Sequence, residues 1–226
     1  MWWNLKRGVF VVFVRVSNFL FGKELIHRSR LAKWLNQCWE YLFETLSPVR
    51  RRQARFEREN PTLPWFVPKA IEYIEGELRP DFVGFEWGSG RSTIWFARRV
   101  CHITSVEGRR SWFEKVKRRV EESDLIDRVT LRLVEISTDH NFNAEEIRRY
   151  AESIFDVADR SLDFVVVDGH FRAECLRSIG NKLRPGGLLV IDNSEVIPRV
   201  LLDSLKRAES FSWNNGIWET TVLRSL

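Results

Sequence analysis

The sequence predicts a doubly wound α/β domain, a mostly parallel sheet with helices on both faces. Three observations carry that prediction. Strand-like and helix-like patterns alternate from residue 68 to residue 208. The run Phe164-Val165-Val166-Val167 has no polar alternation, as suits a strand covered by helices on both faces. The tail reads as a final hairpin, with a strand over Trp218–Leu223 reached through the turn residues Asn214-Asn215-Gly216. Repeated strand–helix units imply parallel strands joined by right-handed crossovers. The hairpin adds an antiparallel end.

The 226 residues carry 36 Lys and Arg against 31 Asp and Glu, a net charge of +5. The charge is unevenly placed. Residues 1–60 hold 12 basic and 5 acidic side chains, and residues 61–226 hold 24 and 26. A body that is slightly acidic argues against a nucleic-acid-binding domain, which needs a basic stripe on the fold. Cys38, Cys101 and Cys175 are odd in number and far apart. They indicate neither a disulfide framework nor a zinc cluster, and read as small buried hydrophobes in a reducing compartment.

The domain division is expected at 1–60 and 61–226, because Asn60-Pro61 and Pro64 break the helical pattern. Within the extension, Val9–Phe21 is an apolar run interrupted by Arg15, too short for the roughly 20 residues a membrane span needs. No cleavage site for a signal peptide follows it. As a helix, its stripe Gly8, Val11, Arg15, Asn18 and Gly22 is narrow and mostly polar. With Trp2, Trp3, Lys6 and Arg7 beside it, the segment suits a membrane interface, and equally suits packing on a protein surface. A second amphipathic helix repeats Leu31, Trp34, Leu35, Cys38, Trp39, Leu42, Phe43 and Leu46. Arg50, Arg51, Arg52, Arg55 and Arg58 then form a cluster that is either a solvated face or a site of attraction to anionic lipid or a phosphorylated substrate. The expected location is cytoplasmic, with peripheral membrane contact through residues 1–25.

In the main domain, Pro68 opens a helix whose buried face is Ile71, Ile74 and Leu78. Strands are then expected at Phe82–Glu86, His102–Glu107, Val129–Ile136, Leu162–Asp168 and Gly187–Asp192. Helices are expected at Arg91–Val100, Ser111–Glu122, Glu145–Val157, Ala173–Leu183 and Pro198–Ala208.

Ligands of open α/β sheets bind beyond the carboxyl ends of the strands. Those ends carry Glu86, Glu107, Glu135, Asp168 and Asp192. Core packing does not require carboxylates there, and they are costly unless they meet solvent or a ligand. Gly88 and Gly90 permit a tight turn and close approach to a ligand, and the helix at Arg91 offers free N–H groups. Glu107, at the end of the next strand, is placed to accept from ribose hydroxyls. A dinucleotide fingerprint would have a third glycine at Thr93, which weakens a nicotinamide-dependent dehydrogenase reading.

Four segments in order resemble class I S-adenosylmethionine-dependent methyltransferases. They are Glu86-x-Gly88-x-Gly90; Val106-Glu107; Val167-Asp168-Gly169-His170; and Lys182-Leu183-Arg184-Pro185-Gly186-Gly187 running into Asp192-Asn193. The resemblance spans about residues 65–226. It implies a Rossmann-like seven-stranded sheet with a reversed last strand. It implies S-adenosylmethionine as cofactor, with Gly88 and Gly90 against the methionine moiety, Glu86 orienting its amino group and Glu107 on the ribose. Asp168 is also expected at the cofactor. A base-methylating enzyme would carry an Asn/Asp-Pro-Pro-Tyr/Phe motif where this chain has Asp168-Gly169-His170-Phe171.

The pattern is similar to the catechol O-methyltransferase-like and the sugar- and antibiotic-tailoring O-methyltransferases. It implies Mg²⁺ on Asp168, Asp192 and Asn193. The alternative is that Asp168 contacts cofactor or substrate directly while Asn193 shapes a turn. Asp168 and His170 are the expected catalytic residues. The lysine base of the catechol group is absent, so His170 is the expected base. Arg172 cannot serve, because a guanidinium stays protonated. The expected acceptor is a small hydroxylated molecule or a glycan, with oligomerisation left open. The competing function is a non-catalytic methyltransferase-like interaction protein tethered by its N-terminal helices.

The extension generates one test. Full-length protein is expected to float with vesicles containing anionic lipid and to be released by salt. Protein that stays unbound in both conditions supports the packing alternative.

Overall fold

The computed structural model describes residues 47–137, 142–205 and 209–225. The chain divides after Pro61, and the two parts are taken separately. The amphipathic helices expected before residue 47, with Cys38, lie outside the described residues.

In the first part, α1 spans Pro48–Glu59. Ser47 caps it, its hydroxyl accepting from the Arg50 N–H at 3.4 Å, and Pro48 occupies the first turn, where its missing N–H costs nothing. Arg51, Arg52, Arg55 and Arg58 are exposed on it. Arg55 pairs with Glu59 at 2.9 Å, an exposed pair that contributes little. Asn60 ends the helix, its backbone and side-chain N–H groups both donating to the Phe56 carbonyl.

The second part holds α2 (Pro68–Glu77), β1 (Val83–Trp87), α3 (Arg91–Ala97), β2 (His102–Glu107) and α4 (Arg110–Glu122). There follow β3 (Val129–Leu133), α5 (Ala144–Ala151), β4 (Leu162–Val167), α6 (Arg172–Ser178), β5 (Leu183–Asp192), α7 (Arg199–Leu205), β6 (Glu209–Asn214) and β7 (Glu219–Arg224). The strands form one sheet in the order β3-β2-β1-β4-β5-β7-β6. Strands β1 to β5 are mutually parallel, and β7 runs antiparallel to both β5 and β6. This is the expected seven-stranded Rossmann-like sheet with its reversed last strand. No described helix is long and apolar enough to cross a membrane.

Every residue of β4 is buried, as its unbroken apolar run requires of a central strand. On one face Phe164 lies over Gly84, its register partner in β1. Phe96 of α3 stacks on Phe164 at 4.9 Å. On the other face Phe85, Trp87, Val165, Val167, Leu189 and Ile191 pack with Tyr150 and Ile154, and with Cys175, Leu176 and Ile179.

Several ends differ from expectation. Helix α6 stops at Ser178 rather than Leu183, and Gly180 follows in a left-handed conformation (φ 52°). Strand β3 ends at Leu133, although Val134 and Ile136 still donate to Glu107 and Gly108 carbonyls beside it. Helix α5 tightens into a 3₁₀ turn over Glu152–Ile154. Strand β5 starts early, at Leu183, and its register with β4 shifts between Leu162 and Phe164 because Arg184–Gly187 bulge outward. Asp163 anchors this bulge. It accepts from Arg184 at 2.7 Å and from the Val83 N–H at 2.7 Å. Cys175 is buried as expected, whereas Cys101 is exposed, standing just before β2 begins.

A Cβ at Gly84 would lie 2.0 Å from the Phe164 ring. Gly84→Ala is therefore expected to lose about 1–3 kcal/mol in urea unfolding, the usual cost of overpacking. Adding Phe164→Leu is expected to restore part of it. A single variant as stable as wild type would show that the ring is not fixed over Gly84.

Candidate active site

The carboxyl ends of β1, β2 and β4 open onto a cavity of about 540 Å³. Gly88, Ser89 and Gly90 form its floor, with Glu107, Asp168 and His170 around them and Trp65, Arg91 and Trp112 at its walls. Of the expected cofactor residues, Gly88, Gly90, Glu107 and Asp168 line this cavity, whereas Glu86 is fully buried and is not part of its lining.

The floor is set by contact between two glycines. Gly88 has φ +92°, and a Cβ there would meet Asp168 and Gly169 backbone at 2.7 Å. At Gly169 a Cβ would lie 2.8 Å from the Gly88 nitrogen and 2.2 Å from the Tyr150 hydroxyl. Only residues without a Cβ let these two loops touch. Gly90 differs: nothing lies within 4 Å of a Cβ placed there. Its space is open, and its N–H donates to Thr93 Oγ1 at 2.9 Å.

Glu86 is fully buried. Its Oε2 accepts from Thr93 at 2.6 Å and from Ser105 at 2.7 Å, and Ser105 is its register partner on β2. Its Oε1 is buried with no hydrogen bond in the protein. Burial pushes the carboxyl up to about 7, against the pull of Ser92, Thr93 and Ser105, which favour the charged form. Thr93, where a dinucleotide site would have glycine, is the residue that ties Glu86 to the loop. The contact closes the turn that joins β1 to α3.

Arg91 carries a second orphan, a buried Nη1 without a partner, and its guanidinium sits 5.1 Å from the centre of the Trp65 ring. A buried acceptor at the end of β1 and a buried donor at the start of α3 thus flank the loop without a hydrogen bond in the protein. Buried polar atoms are seldom left so without a ligand or water to meet them.

Glu107 is saturated. Its Oε1 accepts from the Gly108 and Arg109 N–H groups at 2.9 and 2.8 Å, and its Oε2 from the Ser89 hydroxyl at 2.9 Å and the Ser89 N–H at 3.3 Å. The Trp112 indole N–H donates to the Ser89 carbonyl at 2.7 Å, locking the loop from α4. Glu135, by contrast, is exposed and paired with Arg110 at 2.8 Å, so it stands outside the cavity.

His170 lies on the cavity wall among aromatic rings, with centroids 5.9 Å from Phe171, 6.1 Å from Tyr150 and 6.4 Å from Phe142.

The expected metal ligands do not form a metal site. Asp168 and Asn193 come together, but around the guanidinium of Arg172. Nη2 donates to Asp168 Oδ1 at 3.0 Å and to Asn193 Oδ1 at 2.9 Å. The Asp192 carboxyl is buried and accepts from Thr220 at 2.7 Å. Burial and the neighbouring Asp168 raise Asp192, and Arg172 opposes the rise. Among the described residues no group of three or more His, Cys, Asp or Glu is arranged to hold a metal ion. A permanent cation bonded to both side-chain oxygens would have to be expelled before Mg²⁺ could enter, so these residues do not fit the ion.

No protein-family model matches the chain, and no curated protein matches it. Solved structures resemble it in fold. A SAM-dependent O-methyltransferase from Thermotoga maritima is 14% identical, with 75% of this chain and 70% of that one covered and a TM-score of 0.54. A methyltransferase-like protein from Silicibacter pomeroyi is 20% identical over 70% and 87%, with a TM-score of 0.52. A methyltransferase from Geobacter sulfurreducens is 18% identical over 84% and 97%, with a TM-score of 0.51. These likenesses are of fold, a seven-stranded sheet with one reversed strand.

The buried Glu86 makes stability depend on pH. Its folded value, about 7, lies above the ordinary 4.5. The folded state therefore holds a proton that the unfolded state has released, and stability falls as pH rises through that interval. Glu86→Gln keeps the acceptor for Thr93 and removes the titration. Its stability relative to wild type is expected to improve between pH 5 and pH 8, by at most about 3 kcal/mol. A pH-independent difference in urea midpoints would refute the assignment.

Proposed function

We propose that the chain is an S-adenosylmethionine-dependent methyltransferase that methylates a hydroxyl of a small molecule or glycan. The observation that carries this reading is the pair of orphan atoms flanking the glycine loop. Glu86 Oε1 lacks a donor and Arg91 Nη1 lacks an acceptor. An amino-acid end, with its ammonium and carboxylate, supplies one of each. Open space at Gly90 and the carboxylate of Glu107 fit the rest of an adenosyl amino acid.

When bound, the sulfonium supplies an already activated methyl group, its C–S bond breaking as the acceptor oxygen attacks. The protein's share is therefore mostly positioning. Gly88 and Gly169 shape the floor. Arg91, seated on Trp65, holds the carboxylate, and Glu86 draws the ammonium toward the sheet. His170, on the cavity wall, takes the acceptor's hydroxyl proton at a ring nitrogen. Asp168 orients the acceptor or cofactor from the other side. The fold neighbours named as methyltransferases, one an O-methyltransferase, support this reading. Residues 1–60 are the proposed attachment, meeting a membrane surface with residues 1–25.

Calorimetry with S-adenosylhomocysteine tests the proposal. Wild type is expected to bind saturably. Gly88→Val is expected to lose binding, and Arg91→Ala to weaken it by about 10–100-fold, as for a lost charge-assisted contact. His170→Asn is expected to bind normally. Absence of binding in wild type overturns the reading and favours the non-catalytic alternative.

A further inference from the structure

The ends of β4 and β5 present two carboxylates and an amide, a set of hard oxygens of the kind divalent ions take. At their centre stands Arg172. Its Nε donates to the Asp192 carbonyl at 2.9 Å, its Nη1 to the Gly169 carbonyl at 2.8 Å, and its Nη2 to Asp168 Oδ1 at 3.0 Å and Asn193 Oδ1 at 2.9 Å. Four of its five N–H bonds are thereby used. The side chains of Arg172 and Asp168 are only 22% and 25% exposed, so this is not a solvent-screened surface pair.

The backbone is bent to make this arrangement. Phe171, just before Arg172, has φ 52° and ψ 41°, and Asn193 has φ 52° and ψ 42°. Asparagine adopts this left-handed conformation readily, but for phenylalanine it is strained, and such strain persists only where surrounding contacts hold it. The Phe171 ring packs edge-on against Phe142 and Tyr150, and the guanidinium that follows it binds oxygens from both strand ends at once. A planar fork with fixed donor directions can do this, whereas an ammonium cannot.

We propose that the Arg172 guanidinium is the resident cation of this site, filling permanently the place between Asp168 and Asn193 that a divalent ion would otherwise occupy. The site is thus independent of metal, and its positive charge is part of the chain. Arg172 also lines the cavity. Its fifth N–H, on Nη1, is left to hold an acceptor oxygen. That last role rests on the methyltransferase reading; the placement of the cation does not.

The test uses Mn²⁺ alone, titrated into the full-length protein and followed by electron paramagnetic resonance. Wild type and Arg172→Lys are expected to show no saturable site. Arg172→Ala exposes the acidic cluster and is expected to gain a saturable Mn²⁺ site. Adding Asp168→Asn is expected to abolish that gain. Arg172→Gln is read in the same way if the alanine variant does not fold. A merely structural arginine would give destabilised variants with no gain of Mn²⁺ binding, and that result overturns the proposal. So does saturable Mn²⁺ binding by wild type that Asp168→Asn removes. S-adenosylhomocysteine binding is measured on the same samples. Its absence would count against the methyltransferase and leave the cation assignment standing.

Discussion

The site depends on one costly interaction, the burial of the Glu86 carboxyl group between two strands and a loop. A carboxylate removed from water is unfavourable unless hydrogen bonds replace the solvent. Thr93 and Ser105 supply two of them to a single oxygen. Thr93 also receives the Gly90 N–H, so the group that stabilises Glu86 fixes the course of the glycine loop. The loop in turn places Ser89 against Glu107 and Trp112. Floor, wall and first helix are consequences of where one acidic side chain was put.

The sheet was legible in the sequence because its signals are local. Four apolar residues in a row at Phe164–Val167 mark a central strand, and Asn214-Asn215-Gly216 marks a reversing turn. The ends were less legible. Helix α6 is shorter than its apolar spacing suggests, with Gly180 turning left-handed after it, and β5 begins before its bulge, where its pairing with β4 shifts register. Asp163 illustrates this. It reads as an ordinary acid within a strand, yet it holds both Arg184 and the start of β1.

The site divides along the same line. Gly88, Glu86 and Glu107 were found from motif and position at strand ends. Gly90 earned its place for another reason than expected, because the structure demands no glycine there and leaves the space open. Thr93, Arg91 and Gly169 carry no such signal, since their contacts close a turn, reach Trp65 or depend on the absence of a side chain. Arg172 was visible only as a group unable to take a proton. Its hydrogen bonds to Asp168 and Asn193 occupy two of the side chains expected to hold Mg²⁺.

The saturation of Glu107 carries a consequence for selectivity. A carboxylate offers about four acceptor positions, and the protein fills them with three N–H groups and the Ser89 hydroxyl. A ligand reaching this carboxylate cannot simply add a bond; it must exchange one. A molecule with vicinal hydroxyls returns what it displaces from Ser89 and frees that serine to turn elsewhere. A deoxy analogue that pushes the serine aside returns nothing. The Ser89 hydroxyl is thus a weak occupant of this carboxylate, and only a matching replacement dislodges it without loss.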